Sequence, residues 1–361
     1  MIFFIGPLPP PLHGFSSINA SMLAQLNLIT DVKVFNRAPP LSSGYAGKLM
    51  KRLSICKSLV SFGYHLLKKK PASIYMGLSG GAGQLVDLAF LIISKLTATP
   101  VFIHHHSFAY LNKKCRIASL FFYFARREHH IVLCEQMGSR LAENYAIPVE
   151  SITHLSNAAF SDGAESRQEE YTDRSLQIGF LSNITDAKGI FDYFDVLELL
   201  HKSGFHIQGR IAGPVDESIK NKFTQRLAQT SFICHLGAVY GQDKDAFYDS
   251  IDVLLFPTRY ANEAEPVTII ESFRAGVPVI AASRGCIDAL VAHGGGIVVP
   301  SDADFLSIAV KEISRLIVDK SYLTLCKHKA NKRFEELRVS NRKRLANLLT
   351  CIVDGNSFTN S

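Results

Sequence analysis

Short apolar runs alternate with stretches of helical period along most of this 361-residue chain. Strands in such a rhythm are buried on both faces when they lie parallel, with helices packed on either side. In the first half, strands are expected at residues 2–5, 32–36, 73–77, 100–105, 130–133 and 152–155. Helices are expected between them, at 15–29, 47–67, 82–97, 113–127 and 136–145. A polar segment, Ser161 to Ser175, then breaks the rhythm with Glu, Ser and Asp and reads as a linker. The pattern restarts with strands at 176–181, 206–212, 231–236, 251–256, 277–282 and 296–299, and ends in helical sequence from Asp302. The expected fold is therefore α/β, with two Rossmann-like doubly wound parallel sheets at 1–160 and 176–338 joined by 161–175. Residues 339–361 are expected as a C-terminal helix packing back toward the first domain. Two such domains facing across a cleft would take a ligand at the C-terminal ends of their strands.

Composition narrows the class. A chain with 47% hydrophobic and 20% charged residues suits a globular protein. The seven cysteines are scattered without a Cys-x-x-Cys pair, which indicates neither a disulfide framework nor a zinc site. A reducing, cytoplasmic setting is the simplest expectation. The opening MIFFIG has no basic start and reads as a first strand. The longest apolar stretch, Leu85 to Leu96, contains Asp87 and Lys95 and is too short to cross a bilayer.

The net charge of +7 points to anionic partners. Lys48, Lys51, Arg52 and Lys57 are interleaved with Leu49, Met50, Leu53, Ile55, Leu59 and Val60, and Lys68, Lys69 and Lys70 close that helix. A second cluster places Lys113, Lys114, Arg116, Arg126 and Arg127 around Leu120, Phe121, Phe122 and Phe124. Such stretches make either a peripheral surface for the anionic inner face of a membrane or a packed helix with a solvated basic face. No nucleic-acid reader motif is present, and aromatics do not interleave with the basic runs as a stacking platform would require.

The most informative stretch is FPTRYANEAEPVTIIESFRAGVPVIAASRG, Phe256 to Gly285. An apolar strand runs into a polar loop with Glu263, Pro266 opens a helix, Glu271 lies inside it, and Gly276 ends it before the next strand. Two carboxylates seven residues apart would stand about 80° apart on one helix. With Pro266 between them they are placed instead to hold a ligand from a loop and from a helix. Upstream, the turn at Gly14 precedes Ser16 and Ser17, either of which could cap a helix whose N-terminus would face a phosphate. In VFIHHHS, period two sends His104 and His106 one way and His105 the other. Adjacent strand histidines do not converge on one ion. Asp243-Lys244-Asp245 looks like a metal-binding triplet but precedes a helix, so Asp243 reads as a cap, as does the Asp302-Ala303-Asp304 triplet.

The spacing of Glu263 and Glu271, followed by Gly276, Pro278, Val279, Ile280 and Gly285, resembles the signature of retaining GT-B glycosyltransferases, above all glycosyltransferase family 4, the group 1 glycosyltransferases. In place of that family's Gly-Phe-Gly after the first Glu stands Ala264-Glu265-Pro266. Lys188-Gly189 matches the family's Lys-Gly, while Ser182-Asn183 replaces its Gly-Arg; Asn can donate to a phosphate but lacks the charge and fork of Arg.

The resemblance implies a sugar transferase that takes a UDP- or GDP-linked donor as substrate, with no metal and no other cofactor. It implies that Glu271 holds the ribose and that Lys188, aided by Asn183, holds the diphosphate. Glu263 would contact the transferred sugar, with Gly213 at the nucleotide edge and Gly14, beside His13, near the donor phosphates and acceptor. A sugar-contacting histidine would be His105, with His106 as second choice. The implied acceptor is a glycan or lipid-linked glycan of surface polysaccharide assembly. Two other readings of the same architecture are a nucleotide-sugar epimerase and a non-catalytic partner subunit that binds nucleotide sugar.

Overall fold

The computed structural model describes residues 1–10, 14–38, 44–163 and 174–356, with the backbone alone for 44–52. His13, the side chains of Lys48 to Arg52 and most of the expected linker, 164–173, lie outside the described residues. The chain divides into two compact units, Met1–Phe160 with Val339–Ser361, and Ser161–Arg338.

The first unit runs β1 (Ile2–Gly6), α1 (Gly14–Asn27), β2 (Val32–Asn36), α2 (Gly44–Lys68), β3 (Ile74–Leu78), α3 (Gly83–Lys95) and β4 (Val101–His105). It continues through α4 (Ala109–Asn112), α5 (Arg116–Ala125), β5 (His129–Val132), α6 (Glu135–Tyr145) and β6 (Ile152–His154). All strand pairings are parallel, in the order β2-β1-β3-β4-β5-β6. Phe3, Phe4, Tyr75, Met76, Phe102 and Ile103 are at most 1% exposed, as expected of strands covered on both faces. Each such side chain contributes about 1.5–3 kcal/mol of transfer free energy. The helix expected at 113–127 starts later, at Arg116, because the chain is extended at Lys113 and Cys115, and the Cys115 side chain caps α5 by accepting from the Ala118 amide; the short α4 before it was not expected.

The second unit runs β7 (Leu176–Leu181), α7 (Ile190–Lys202), β8 (Ile207–Ala212), α8 (Lys220–Ala228), β9 (Ile233–His235), α9 (Gln242–Asp249) and β10 (Val253–Phe256). It closes with α10 (Val267–Arg274), β11 (Val279–Ala282), α11 (Ile287–Val291), β12 (Gly296–Val299), α12 (Phe305–Val318) and the start of α13 (Lys320–Asp354). Its parallel order is β12-β11-β10-β7-β8-β9. β7 and β10 are neighbours although three crossovers separate them, and the winding reverses there. That reversal opens a crevice beyond the C-terminal ends of β7 and β10, the usual ligand position in a doubly wound sheet. Ile178, Phe180, Tyr193, Phe194, Val253 and Leu255 form the core beneath it.

The C-terminal helix does not start at 339. α13 is continuous from Lys320, and from Val339 it belongs to the first unit. There Leu345, Leu348, Leu349 and Ile352 complete the core of Ile2, Phe4, Met22 and Leu26. Asn341 accepts a hydrogen bond from the Ser156 amide at 2.9 Å.

Candidate active site

In the second unit, the loops after β7 and β10 meet at the winding reversal. After β7, Thr185 caps a short 3-10 turn, Asp186–Lys188, by accepting from the Lys188 amide. Gly189 then turns left-handed, at φ 79°, to start α7. Its backbone lies so close to the next loop that a Cβ there would fall 2.0 Å from the Pro257 carbonyl oxygen. Arg259 fastens the same two loops. Its amide donates to the Ala187 carbonyl, and its guanidinium pairs with Asp186 and Asp192.

These contacts bring Lys188 Nζ to 2.5 Å from Glu263 Oε2, between residues 75 apart in sequence. The Thr258 hydroxyl donates to the same oxygen at 3.0 Å. The ammonium also lies over the Tyr260 ring, 4.9 Å from its centroid. The Glu263 side chain is only 10% exposed and that of Lys188 is 21% exposed, so the pair is partly withdrawn from water. Glu265, the neighbouring carboxylate, interacts electrostatically with Arg333. Glu263 is therefore the carboxylate that faces the lysine. Gly285, at φ 54°, supports the loop from behind, since a Cβ there would come within 2.2 Å of the Glu263 carbonyl.

Glu271 lies on α10, which begins at Val267 with Pro266 at the capping position. Lys244 Nζ donates to Glu271 Oε1 at 2.5 Å. The Tyr248 hydroxyl proton is shared between Glu271 Oε2 and the Thr268 carbonyl, both at 3.1 Å. Burial, and then the Glu271 charge, push the Tyr248 phenol well above its ordinary range, so it stays a donor. Lys244 and Tyr248 were not expected from the sequence, although they stand one helical turn apart on α9 and so share a face. Asp243 is not the helix cap. α9 starts at Gln242 after Gly241, and Asp243 lies within the first turn. Asp245 pairs with Arg274. Asp304 does cap α12, by accepting from the Leu306 amide at 3.1 Å.

Asn183 follows β7 with an exposed side chain, and Gly213 follows β8 beside it. A Cβ on Gly213 would fall 1.8 Å from the Ser182 carbonyl, so only glycine lets the two strand ends approach. Arg210 donates to Gln177 at 2.9 Å along the strands and is held within the sheet, not aimed at a ligand.

In the first unit, period two holds. The His104 and His106 rings share a side, with centroids 4.1 Å apart. His105 points the other way and is fully buried. Its expected role as the sugar-contacting histidine is corrected by its partners. Nδ1 lies 2.8 Å from the Tyr110 hydroxyl, and Nε2 lies 3.0 Å from His130 Nδ1. His130 Nε2 in turn donates to the Ala125 carbonyl at 3.1 Å. One set of neutral tautomers satisfies the whole chain: Tyr110 donates to His105, which donates to His130.

His106, the second choice, is half-buried at the strand end, and its Nε2 has no hydrogen-bond partner among the described residues. Its ring packs against Phe15 at 4.7 Å, which places it beside Gly14, the first residue of α1. A Cβ on Gly14 would meet no described residue within 4 Å. Ser16 and Ser17 lie inside α1, which starts at Gly14.

Burial pushes His105 well below its ordinary pKa and His130 down to about 4. The unfolded rings titrate near 6.5, so between that pH and the folded value the unfolded state binds more protons. Stability from these rings is full at pH 7 and is lost as pH falls below about 6.5. The expected loss at pH 5 is about 2 kcal/mol per ring. Urea unfolding of the first unit at pH 7 and pH 5 measures it, and equal midpoints would show that the rings accept protons while folded.

Residues 162–333 match the model of the family described as glycosyl transferases group 1. A putative colanic acid biosynthesis glycosyltransferase, WcaL of Salmonella typhimurium (strain LT2), is 25% identical over 187 residues, covering 49% of this chain and 45% of that protein. The chain thus matches less than half the length of that relative. Among solved structures, Anabaena Alr3699/HepE in complex with UDP-glucose has a TM-score of 0.70 at 14% identity, over 97% of this chain and 99% of that one. WaaG, a glycosyltransferase involved in lipopolysaccharide biosynthesis, has a TM-score of 0.67 at 12% identity, over 97% and 100%. At such identities the likeness is one of fold. No described helix is long and apolar enough to cross a membrane. The chain has the GT-B architecture, and residues 162–333, which carry Lys188, Glu263 and Glu271, match the glycosyl transferases group 1 family.

Proposed function

We propose that the protein is a retaining, metal-independent glycosyltransferase that moves a sugar from a nucleotide-sugar donor to a glycan or lipid-linked glycan in surface polysaccharide assembly. The observation that carries this reading is the meeting of Lys188 and Glu263 at the winding reversal, with Glu271 one helix further on. Glu271 offers two oxygens to the vicinal diol of a ribose, and Lys244 and Tyr248 hold it in place. Lys188 offsets the charge that grows on the leaving diphosphate as the sugar C1–O bond breaks. Glu263 stabilises the cationic sugar. The acceptor oxygen attacks from the face the diphosphate leaves, and its proton passes to the departing phosphate oxygen. In the first unit, His106 Nε2 is assigned to a sugar hydroxyl, in place of His105. UDP is the favoured base because the HepE complex contains UDP-glucose.

The test is thermal stabilisation by UDP-, GDP-, ADP- and CMP-sugars without metal. A ligand at about 100 times its dissociation constant adds about 2.7 kcal/mol. Glu271→Ala should abolish that shift for the preferred donor while the protein stays folded. Unchanged donor affinity in this variant would remove the ribose assignment. Binding without turnover on any acceptor would favour a non-catalytic subunit.

A further inference from the structure

We propose that Arg284 receives an oxyanion, a carboxylate or a phosphate, carried beyond the donor diphosphate by the transferred sugar or by the acceptor; the inference rests on the donor reading above. Six loops leave the second sheet at the C-terminal ends of its strands, at 182–189, 213–219, 236–241, 257–266, 283–286 and 300–304. Three cations lie on them, Lys188, Arg259 and Arg284. Lys188 pairs with Glu263, and Arg259 pairs with Asp186 and Asp192. On the helices beside them, Lys244 pairs with Glu271 and Arg274 with Asp245, while Arg333 donates to the Ala289 and Leu290 carbonyls.

Arg284 is different. It is half-buried, and among the described residues its side chain has neither an ion pair nor a hydrogen bond. Its Nε is fully buried. A buried N–H without an acceptor is rare, because its hydration is lost and nothing replaces it. Nε–H and the adjacent Nη–H form one edge of the guanidinium, and that edge takes a carboxylate or phosphate through two parallel hydrogen bonds. In Arg284 this edge is unused.

Strand order locates the anion. β11, β10, β7 and β8 are successive neighbours, and Leu254 of β10 registers with Val279 of β11 on one side and Gly179 of β7 on the other. The loops that follow therefore carry Arg284, Glu263, Lys188 and Gly213 in that spatial order. In the donor reading, Gly213 meets the nucleotide edge, Lys188 the diphosphate and Glu263 the sugar. Arg284 comes next along the same line, on a strand about 10 Å from β7. Its loop is fastened to that of Glu263, since the Cys286 amide donates to the Ala264 carbonyl at 2.8 Å. An anion at this place lies past the diphosphate that Lys188 takes. A neutral sugar would leave the guanidinium edge unpaired, whereas a uronate or a phosphorylated acceptor would fill it.

The test is calorimetric titration of the full chain and of Arg284→Gln at fixed ionic strength. One arm compares UDP-glucuronate with UDP-glucose. The other titrates inorganic phosphate into the UDP-saturated protein. A carboxylate on the transferred sugar predicts that the unmodified chain prefers UDP-glucuronate by about 10- to 100-fold, and that Arg284→Gln removes the preference. A phosphate on the acceptor predicts phosphate binding to the UDP complex, weakened by the same factor in the variant. Arg284→Lys keeps the charge without the fork and should restore only part of either effect. UDP affinity itself should stay unchanged in both variants; an arginine that served only the fold would lower it and leave both comparisons as they were. If UDP binds but Arg284→Gln alters neither comparison, this inference falls and the donor reading stands. If UDP does not bind at all, both fall.

Discussion

Lys188→Ala should lower the turnover number by about 10²- to 10³-fold, the usual cost of removing one preorganised charge from a reacting centre. The Michaelis constant for the donor should change much less, because in the proposed mechanism the lysine matters most when the leaving diphosphate carries its full charge. Removing the ammonium also leaves Glu263, whose side chain is only 10% exposed, with Thr258 as its remaining side-chain donor among the described residues. The two losses are therefore coupled. Glu263→Gln alone should cost a similar factor, and the double variant Lys188→Ala/Glu263→Gln should be little worse than either single one. Steady-state kinetics on the four forms gives the cycle. Fully multiplicative effects would show that the lysine and glutamate act independently, and the proposed shared role would fall.

Gly189→Ala should destabilise the second unit by more than about 3 kcal/mol, whereas Gly204→Ala should cost only about 1 kcal/mol. Both glycines have positive φ, 79° and 85°. They differ in what surrounds them. A Cβ at 189 would lie 2.0 Å from the Pro257 carbonyl, and a Cβ at 204 would meet nothing within 4 Å. Backbone strain is common to both, so the difference between them isolates the cost of pushing the β7 and β10 loops apart. Those loops carry Lys188 and Glu263, so Gly189→Ala should also reduce turnover beyond what its stability loss explains. Paired thermal denaturation curves decide it: equal shifts would mean that the close approach contributes nothing.

Much of the fold was legible because strands buried on both faces must be apolar throughout. Val101 to Ile103 and Val253 to Leu255 carry that signal in their own residues, all fully buried. Helix ends were less legible. The start of α5 rests on a Cys115 cap, and the unbroken α13 on packing partners far along the chain, neither of which local period reports. At the proposed site, Glu263, Glu271 and Lys188 were named from the resemblance to the family signature, and the structure brings Lys188 and Glu263 together. The choice between His105 and His106 could not be made from the sequence, because alternation says only that they face opposite ways. Burial against Tyr110 and His130 removed His105. Lys244 and Tyr248 carried a faint signal, their i,i+4 spacing, which the Asp-Lys-Asp look-alike obscured.

By itself the sequence determined the class: parallel α/β from its buried apolar strands, and a carboxylate pair split by Pro266 between a loop and a helix. Both are consequences of residue type and local backbone preference. Only the tertiary structure decided which groups meet. Lys188 and Glu263 are 75 residues apart and touch because β7 and β10 become neighbours where the winding reverses. Gly189 lets their loops close to backbone contact. Strand order is a property of the whole sheet, set by which neighbours together bury the most apolar surface, and no local pattern encodes it.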